Sequence, residues 1–210
     1  DTHVFEKEPN AGGVVMNIIP EFRIPAAAVQ KDIDFVEAQG AKFHFSAKKS
    51  VDELKAEGFD YVFVSIGADK SNDPGVTGNG RRESAISFLY RAKHGEDIDL
   101  GKDVVVIGGG NTAMDAARMA KRIKGVENVT IIYRRSMSEM PADREEYIMA
   151  KNDGIKFVFL ANPADLTDGI MTVKEMELGE KDASGRRRPV DTGRTFKLDC
   201  SYIISAIGEK

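Results

Sequence analysis

Residues 104–113 read Val104-Val105-Val106-Ile107-Gly108-Gly109-Gly110-Asn111-Thr112-Ala113, and this stretch decides the fold. Its β-branched start is a strand apolar on both faces, the pattern of a parallel sheet covered on both sides. The remaining residues fit G-x-G-x-x-A between a strand and a helix. Gly108 permits the tight turn, Gly110 lets the backbone approach a pyrophosphate, and Ala113 is small enough for helix and strand to pack closely. Gly109, Asn111 and Thr112 complete the turn and the first helical positions, where unpaired N–H groups and the helix dipole favour an anion. The helix is amphipathic, with Ala113, Ala117 and Ala120 opposite Asp115, Arg118 and Arg122.

Working outward, strands at 103–107, 129–133 and 156–160 alternate with helices at 112–123 and 144–151. Such spacing signals βαβ units and a right-handed parallel sheet with helices on both faces. Between Ile170 and Asp199 the pattern changes to short β-rich pieces, an antiparallel insertion. A buried strand from Tyr202 to Ile207 then ends in glycine. Upstream, Ser84 to Lys93 is helix-like, and the turn-rich stretch Ser71 to Arg82 is the expected join between two units. The first unit opens with a strand from His3 to Glu6 and a loop carrying Gly12-Gly13. A helix starts at Pro25, buries Val29, Ile33 and Val36, and ends at Gly40. A strand comes next at 41–45, then a capping box at Ser50-x-x-Glu53. The apolar run Tyr61-Val62-Phe63-Val64-Ser65-Ile66-Gly67 reads as a buried parallel strand. The fold class is therefore α/β: a Rossmann-like domain at 79–210 with an antiparallel β insertion, and part of a further domain at 1–78.

The end of the second strand of the Rossmann-like unit selects the nucleotide. An acidic residue there binds the ribose 2′-hydroxyl of NAD, whereas arginine accommodates the 2′-phosphate of NADP. Tyr133-Arg134-Arg135 stands at that place. Two forked guanidiniums match a phosphate dianion, so the site reads as one for NADP(H).

Composition narrows the chemistry. The 210 residues are 41% hydrophobic and 30% charged, with a formal charge of −4. No global positive field favours nucleic acid, and no run reaches the ~18 apolar residues of a membrane span. A single cysteine, Cys200, excludes an internal disulfide, a Cys-x-x-Cys pair or an iron–sulfur cluster within this chain. His3, His44 and His94 lack metal-ligand spacing and a nucleophile partner, so structural roles are expected and no metal site. Arg186-Arg187-Arg188 reads as a solvated turn. The start shows no charged-then-apolar leader, so a cytoplasmic location is expected.

Together these motifs resemble the FAD- and NADPH-binding module of the family that includes the glutamate synthase small subunit and dihydropyrimidine dehydrogenase, with a selenate reductase subunit-like branch equally close. The elements are Val4-Phe5-Glu6-Lys7 with Gly12-Gly13, Ile19-Pro20-Glu21-Phe22-Arg23-Ile24-Pro25, Ser65-Ile66-Gly67-Ala68, Gly108 to Ala113 with Asp115-Ala116-Ala117-Arg118, Tyr133-Arg134-Arg135, Met140-Pro141 with Arg144, and Ala206-Ile207-Gly208. The resemblance implies that 1–78 is a partial FAD-binding domain and 79–210 an NADPH-binding domain. It places the FAD adenosine ribose on Glu6, and the FAD site on Lys7, Gly12, Gly13 and Arg23. The NADPH pyrophosphate falls on Gly109, Gly110, Asn111 and Thr112, and the 2′-phosphate on Arg134 and Arg135. Ala206, Ile207 and Gly208 face the nicotinamide, with Arg144 a further phosphate candidate.

This chain departs from the family pattern in lacking a GxGxxG before the strand ending at Glu6 and a Gly-Asp segment after the last strand. With the abrupt first strand and missing initiator Met, that fits a piece of a longer flavoprotein. The expected function is hydride delivery from NADPH to FAD, with electrons passing to an iron–sulfur domain or subunit elsewhere. FAD is expected in the complete protein and held weakly by this piece, which is expected to be inactive alone. No catalytic acid, base or nucleophile is called for, because the cofactors carry the chemistry. The alternative is a non-catalytic NADP(H)-binding sensor or docking module.

Overall fold

In a computed structural model describing residues 1–68, 71–183 and 185–208, the chain divides into two compact units at residues 68 and 69. In the first unit, β1 (His3–Phe5) pairs in parallel with β2 (Lys42–His44). Parallel pairing requires a long crossover, supplied by α1 (Gly13–Asn17) and α2 (Ala26–Ala38). The loop expected to carry Gly12-Gly13 thus coils into a helix from Gly13. Gly12 makes this possible: its φ is +99°, and a Cβ there would lie 2.7 Å from Met16 Cβ. Pro25 stands just before α2 in extended geometry, with ψ 137°. α2 buries Val29 as expected but leaves Phe35 and Val36 exposed. The capping box opens α3 (Val51–Ala56): Glu53 N–H donates to Ser50 Oγ, and Ser50 N–H donates to Glu53 Oε2.

The run at 61–67 is a correction. It forms no strand, and Tyr61, Phe63 and Ile66 are 94%, 92% and 90% exposed. An apolar run becomes a buried strand only when neighbours pair with its backbone and elements cover both faces. No strand among the described residues takes that place.

The second unit keeps the expected alternation. It runs β3 (Arg82–Ser84), α4 (Ala85–Lys93), β4 (Asp103–Ile107), α5 (Asn111–Ala120), β5 (Asn128–Tyr133), α6 (Arg144–Asn152) and β6 (Lys156–Phe159). Next come β7 (Ala161–Thr167), β8 (Ile170–Lys181), β9 (Arg187–Asp199) and finally β10 (Tyr202–Ser205). The parallel sheet has the order β3-β10-β4-β5-β6. From β4 the chain winds outward through β5 and β6, then returns so that β10 lies against the other side of β4. That reversal creates a crevice at the carboxyl ends of β4 and β10.

The insertion is an antiparallel sheet, β7-β8-β9, longer than expected and including β7, for which the sequence pattern gives no strand. Its first turn, Asp168-Gly169, has positive φ at both residues, 51° and 78°, the requirement of a tight two-residue hairpin. Leu166, Met171, Val173 and Cys200 join Val105, Ile107, Ile132 and Ile203 of the parallel sheet in one core. On α5, Ala113, Ala116, Ala117 and Ala120 are fully buried.

The stretch at 71–82, expected as the join, packs within the second unit. Thr77 N–H donates to Ala164 O at 2.9 Å and Gly80 N–H to Leu166 O at 3.0 Å. A Cβ at Gly78 would come within 2.1 Å of Leu166 O. These glycines mark close backbone contact, and the change of unit falls at 68/69 rather than 78/79. Among the described residues, no helix is long and apolar enough to cross a membrane.

Candidate nucleotide site

A cleft of about 580 Å³ opens at the β4–β10 switch point, lined by Gly108, Gly109, Gly110 and Thr112 and by Ala206, Ile207 and Gly208, with Tyr133, Arg134, Arg135 and Arg186 at another part of its wall. The three glycines have separate tasks. Gly108 has φ +143°, and a Cβ there would sit 2.3 Å from Ala206 O, so β4 and β10 meet too closely for any side chain. A Cβ at Gly109 would lie 2.6 Å from the Tyr133 ring. At Gly110 a Cβ would meet nothing within 4 Å: the missing side chain leaves open space on the cleft wall. Gly110 is also the N-cap of α5, and no side chain caps that terminus. Its first N–H groups and the positive end of the dipole suit an anion.

Two residues of the motif work behind this wall. Asn111 Nδ2–H donates to Asp143 Oδ2 at 2.8 Å, and Asp143 N–H donates to Asn111 Oδ1 at 2.9 Å. The amide thus ties the start of α5 to the start of α6. Ala113 is buried against the sheet. Arg144, at the start of α6, is exposed and outside the cleft lining. At the other end, Asn72 N–H and Nδ2–H both donate to Gly208 O, at 3.1 and 3.0 Å.

The adjacent arginines divide. Arg134 is exposed, whereas Arg135 is only 6% exposed. Arg135 Nε–H donates to Arg187 O at 2.8 Å, and its Nη2 lies 3.3 Å from Asp182 Oδ2. Its guanidinium holds the β8–β9 turn, so the expected side-by-side pair becomes one outward arginine and one anchor. Arg186, Arg187 and Arg188 are all exposed, as expected of a solvated run, and Arg186 is also among the residues lining the cleft. Arg187 grips its own hairpin, donating to Gly179 O and Leu178 O.

The first-unit candidates occupy the end of β1, the loop beyond it and the approach to α2. Glu6 Oε1 accepts from Glu8 N–H at 2.9 Å; Lys7 is exposed and Arg23 half-buried. Gly12 and Gly13, with φ +99° and +49°, form the entry to α1. The histidines have structural contacts: His3 Nδ1 and His44 Nε2 are 2.9 Å apart, both rings stack with Phe5, and His94 stacks on Tyr90.

Residues 15–210 match the family model described as pyridine nucleotide-disulphide oxidoreductase. The chain belongs to that family. Among curated relatives, YgfK of Escherichia coli (strain K12) is 50% identical over 99% of this chain and 20% of its own length. The NADPH-Fe(3+) oxidoreductase subunit beta of Geobacter sulfurreducens is 39% identical over 98% of this chain and 33% of its own length. The chain thus spans a fifth to a third of these relatives. The fold matches FprA from Mycobacterium tuberculosis, solved in complex with NADPH, with a TM-score of 0.83 at 18% identity over 99% of this chain and 64% of that one.

The disulphide in the family description cannot form within these 210 residues. Cys200 is the sole cysteine. Burial pushes its thiol up to about 12, and its S–H points to Tyr202 O at 3.4 Å. It is a core residue without thiolate character.

Proposed function

We propose that the chain is the NADPH-binding module of a flavin-dependent oxidoreductase, serving hydride passage from NADPH to FAD and onward electron transfer to iron–sulfur centres of the complete protein. One observation carries this reading: a glycine turn with open space at Gly110, a helix start without a side-chain cap, and the exposed Arg134 all face one cleft at a sheet switch point. These residues fit a dinucleotide phosphate. Backbone N–H groups at Gly109 to Thr112 would hold the pyrophosphate, and Arg134 the 2′-phosphate. Ala206 to Gly208 would bound the nicotinamide end.

When bound together, nicotinamide and flavin supply the hydride chemistry themselves. The chain's own contribution is placement. The Asn111–Asp143 clamp fixes the helix start, and the Gly108 contact fixes the spacing of β4 and β10. In the first unit, Glu6 is held at the end of β1 by Glu8 N–H, and its carboxylate is a suitable acceptor for a ribose diol. Lys7, Gly12, Gly13 and Arg23 would complete that part of the FAD site. Relatives named for NADPH and as enzyme subunits support the cofactor and the multi-component setting.

Anaerobic rapid mixing of the complete protein with NADPH tests the proposal. Bleaching of the flavin band by NADPH, at least tenfold faster than by NADH at equal sub-saturating concentration, is the expected result. Tight NADPH binding without bleaching would identify a sensor instead.

A further inference from the structure

The wall of the nucleotide cleft includes a polar side chain that phosphate binding leaves unused. We propose that Asn162, near the start of β7, recognises the adenine base of the dinucleotide, its Oδ1 accepting from the amine at C6 and its Nδ2–H donating to N7. This role rests on the NADP(H) reading above and deepens it.

Sheet order sets where the base lies. The pyrophosphate belongs to the glycine turn after β4, and the ribose to the end of β5. The base is the next group along the ligand, and β6 is the next strand along the sheet. β5 and β6 are parallel, with Tyr133 opposite Phe159, so their carboxyl ends open on the same side. The chain leaves β6 through Leu160, whose φ of +52° is a left-handed value that an L side chain rarely adopts. Two hydrogen bonds hold it there: Leu160 N–H donates to Arg135 O at 3.1 Å, and Leu160 O accepts from Met176 N–H at 2.7 Å. The first of these joins Leu160 to the neighbour of Arg134, at the strand end where the ribose is read. A backbone outlier fixed by partners on both sides is the kind of strain that functional sites hold. Directly after it, Ala161, Asn162 and Pro163 stand in the cleft wall.

Their chemistry fits a base. Ala161 and Pro163 are buried and apolar, the kind of lining against which a few polar groups fix a ligand's orientation. Asn162 between them is half-buried, and its amide has no hydrogen-bond partner among the described residues. Asn72 of the same cleft differs, since its Nδ2–H is taken by Gly208 O. A carboxamide sets an acceptor beside a donor, the complement of the C6 amine and N7 of adenine. Hypoxanthine presents two acceptors, O6 and N7, on that edge. Whichever way the amide turns, its oxygen then meets another acceptor.

The test titrates the complete protein with NADP+ and with nicotinamide hypoxanthine dinucleotide phosphate, which differ only in the base. Wild type is expected to bind NADP+ about tenfold more tightly, within the range for a bidentate amide–adenine pair. Asn162→Ala should abolish that preference, lowering NADP+ affinity about tenfold and leaving the hypoxanthine ligand within about threefold of wild type. Asn162→Leu, closer in volume to asparagine, should give the same loss of preference without emptying the start of β7. Equal affinity of wild type for the two ligands would overturn the role of Asn162 and leave the NADP(H) reading in place. So would a preference that both variants keep, because Asn162 would then be structural only. Failure of wild type to bind NADP+ at all would defeat both readings.

Discussion

At residue scale, Gly108 and Gly110 look alike in the motif yet differ in what surrounds them. Gly108 is needed by the fold, because its φ is +143° and Ala206 O occupies the place of a Cβ. Gly108→Ala should therefore lose several kcal/mol of stability through backbone strain and a direct clash, seen as a large fall in Tm with or without nucleotide. Gly110 has no such neighbour. The tight turn at Gly108 was legible from the motif, as was the burial of Ala113. The division of Arg134 from Arg135 was not read, because both lie past the end of β5, where strand alternation no longer fixes which side chain turns inward. Arg186 was hidden more deeply. Its exposure was legible from the basic run, but its place at the cleft was not, because the turn that carries it is tied through Asp182 to Arg135, which is distant in sequence.

At element scale, the second unit's helices and central strands were legible because their apolar periodicity is strong and local. β3 and β7 were missed: one is three residues long, and the other contains Pro163 and a register shift between Pro163 and Asp165, features that suppress strand signals. The error at 61–67 has the opposite cause. Apolarity was read correctly, but pairing is non-local and cannot be inferred from the run itself. The α5–α6 contact offers a pH test. Arg118, nearly buried, lies 2.9 Å from Asp153 and 3.6 Å from Glu146, and Arg122 also reaches Asp153 at 2.9 Å. Burial works to raise the Asp153 pKa, but the hydrogen bonds from Arg118 and Arg122 outweigh it and hold the carboxyl below its ordinary value. The resulting stabilisation is complete above the unfolded-state pKa of about 3.9 and disappears as pH falls through the lower folded-state value. Asp153→Asn should be less stable than wild type at pH 7, and the gap should close below about pH 4 in denaturant titrations. Arg118→Ala, which removes a nearly buried guanidinium from Glu146 and leaves Asp153 with Arg122, should cost about 1–3 kcal/mol at neutral pH.

At the scale of the whole molecule, strand–helix alternation predicted a parallel sheet with an antiparallel insertion, and both are present. Strand order was not legible: that β10 returns to lie between β3 and β4 depends on which apolar faces cover one another. This order makes the crevice, because it sets Ala206 to Gly208 opposite the glycine turn. The central claim is that the crevice holds a pyridine nucleotide by its phosphates, and Gly110→Ala separates that role from folding. Calorimetric titration of NADPH into wild type and Gly110→Ala, alongside their thermal melts, is the most direct test. The structure predicts Tm values within about 2 °C, since the new methyl meets no protein atom, and at least a tenfold loss of NADPH affinity, since that methyl fills the space the pyrophosphate needs. Equal affinity in the two proteins would contradict the claim.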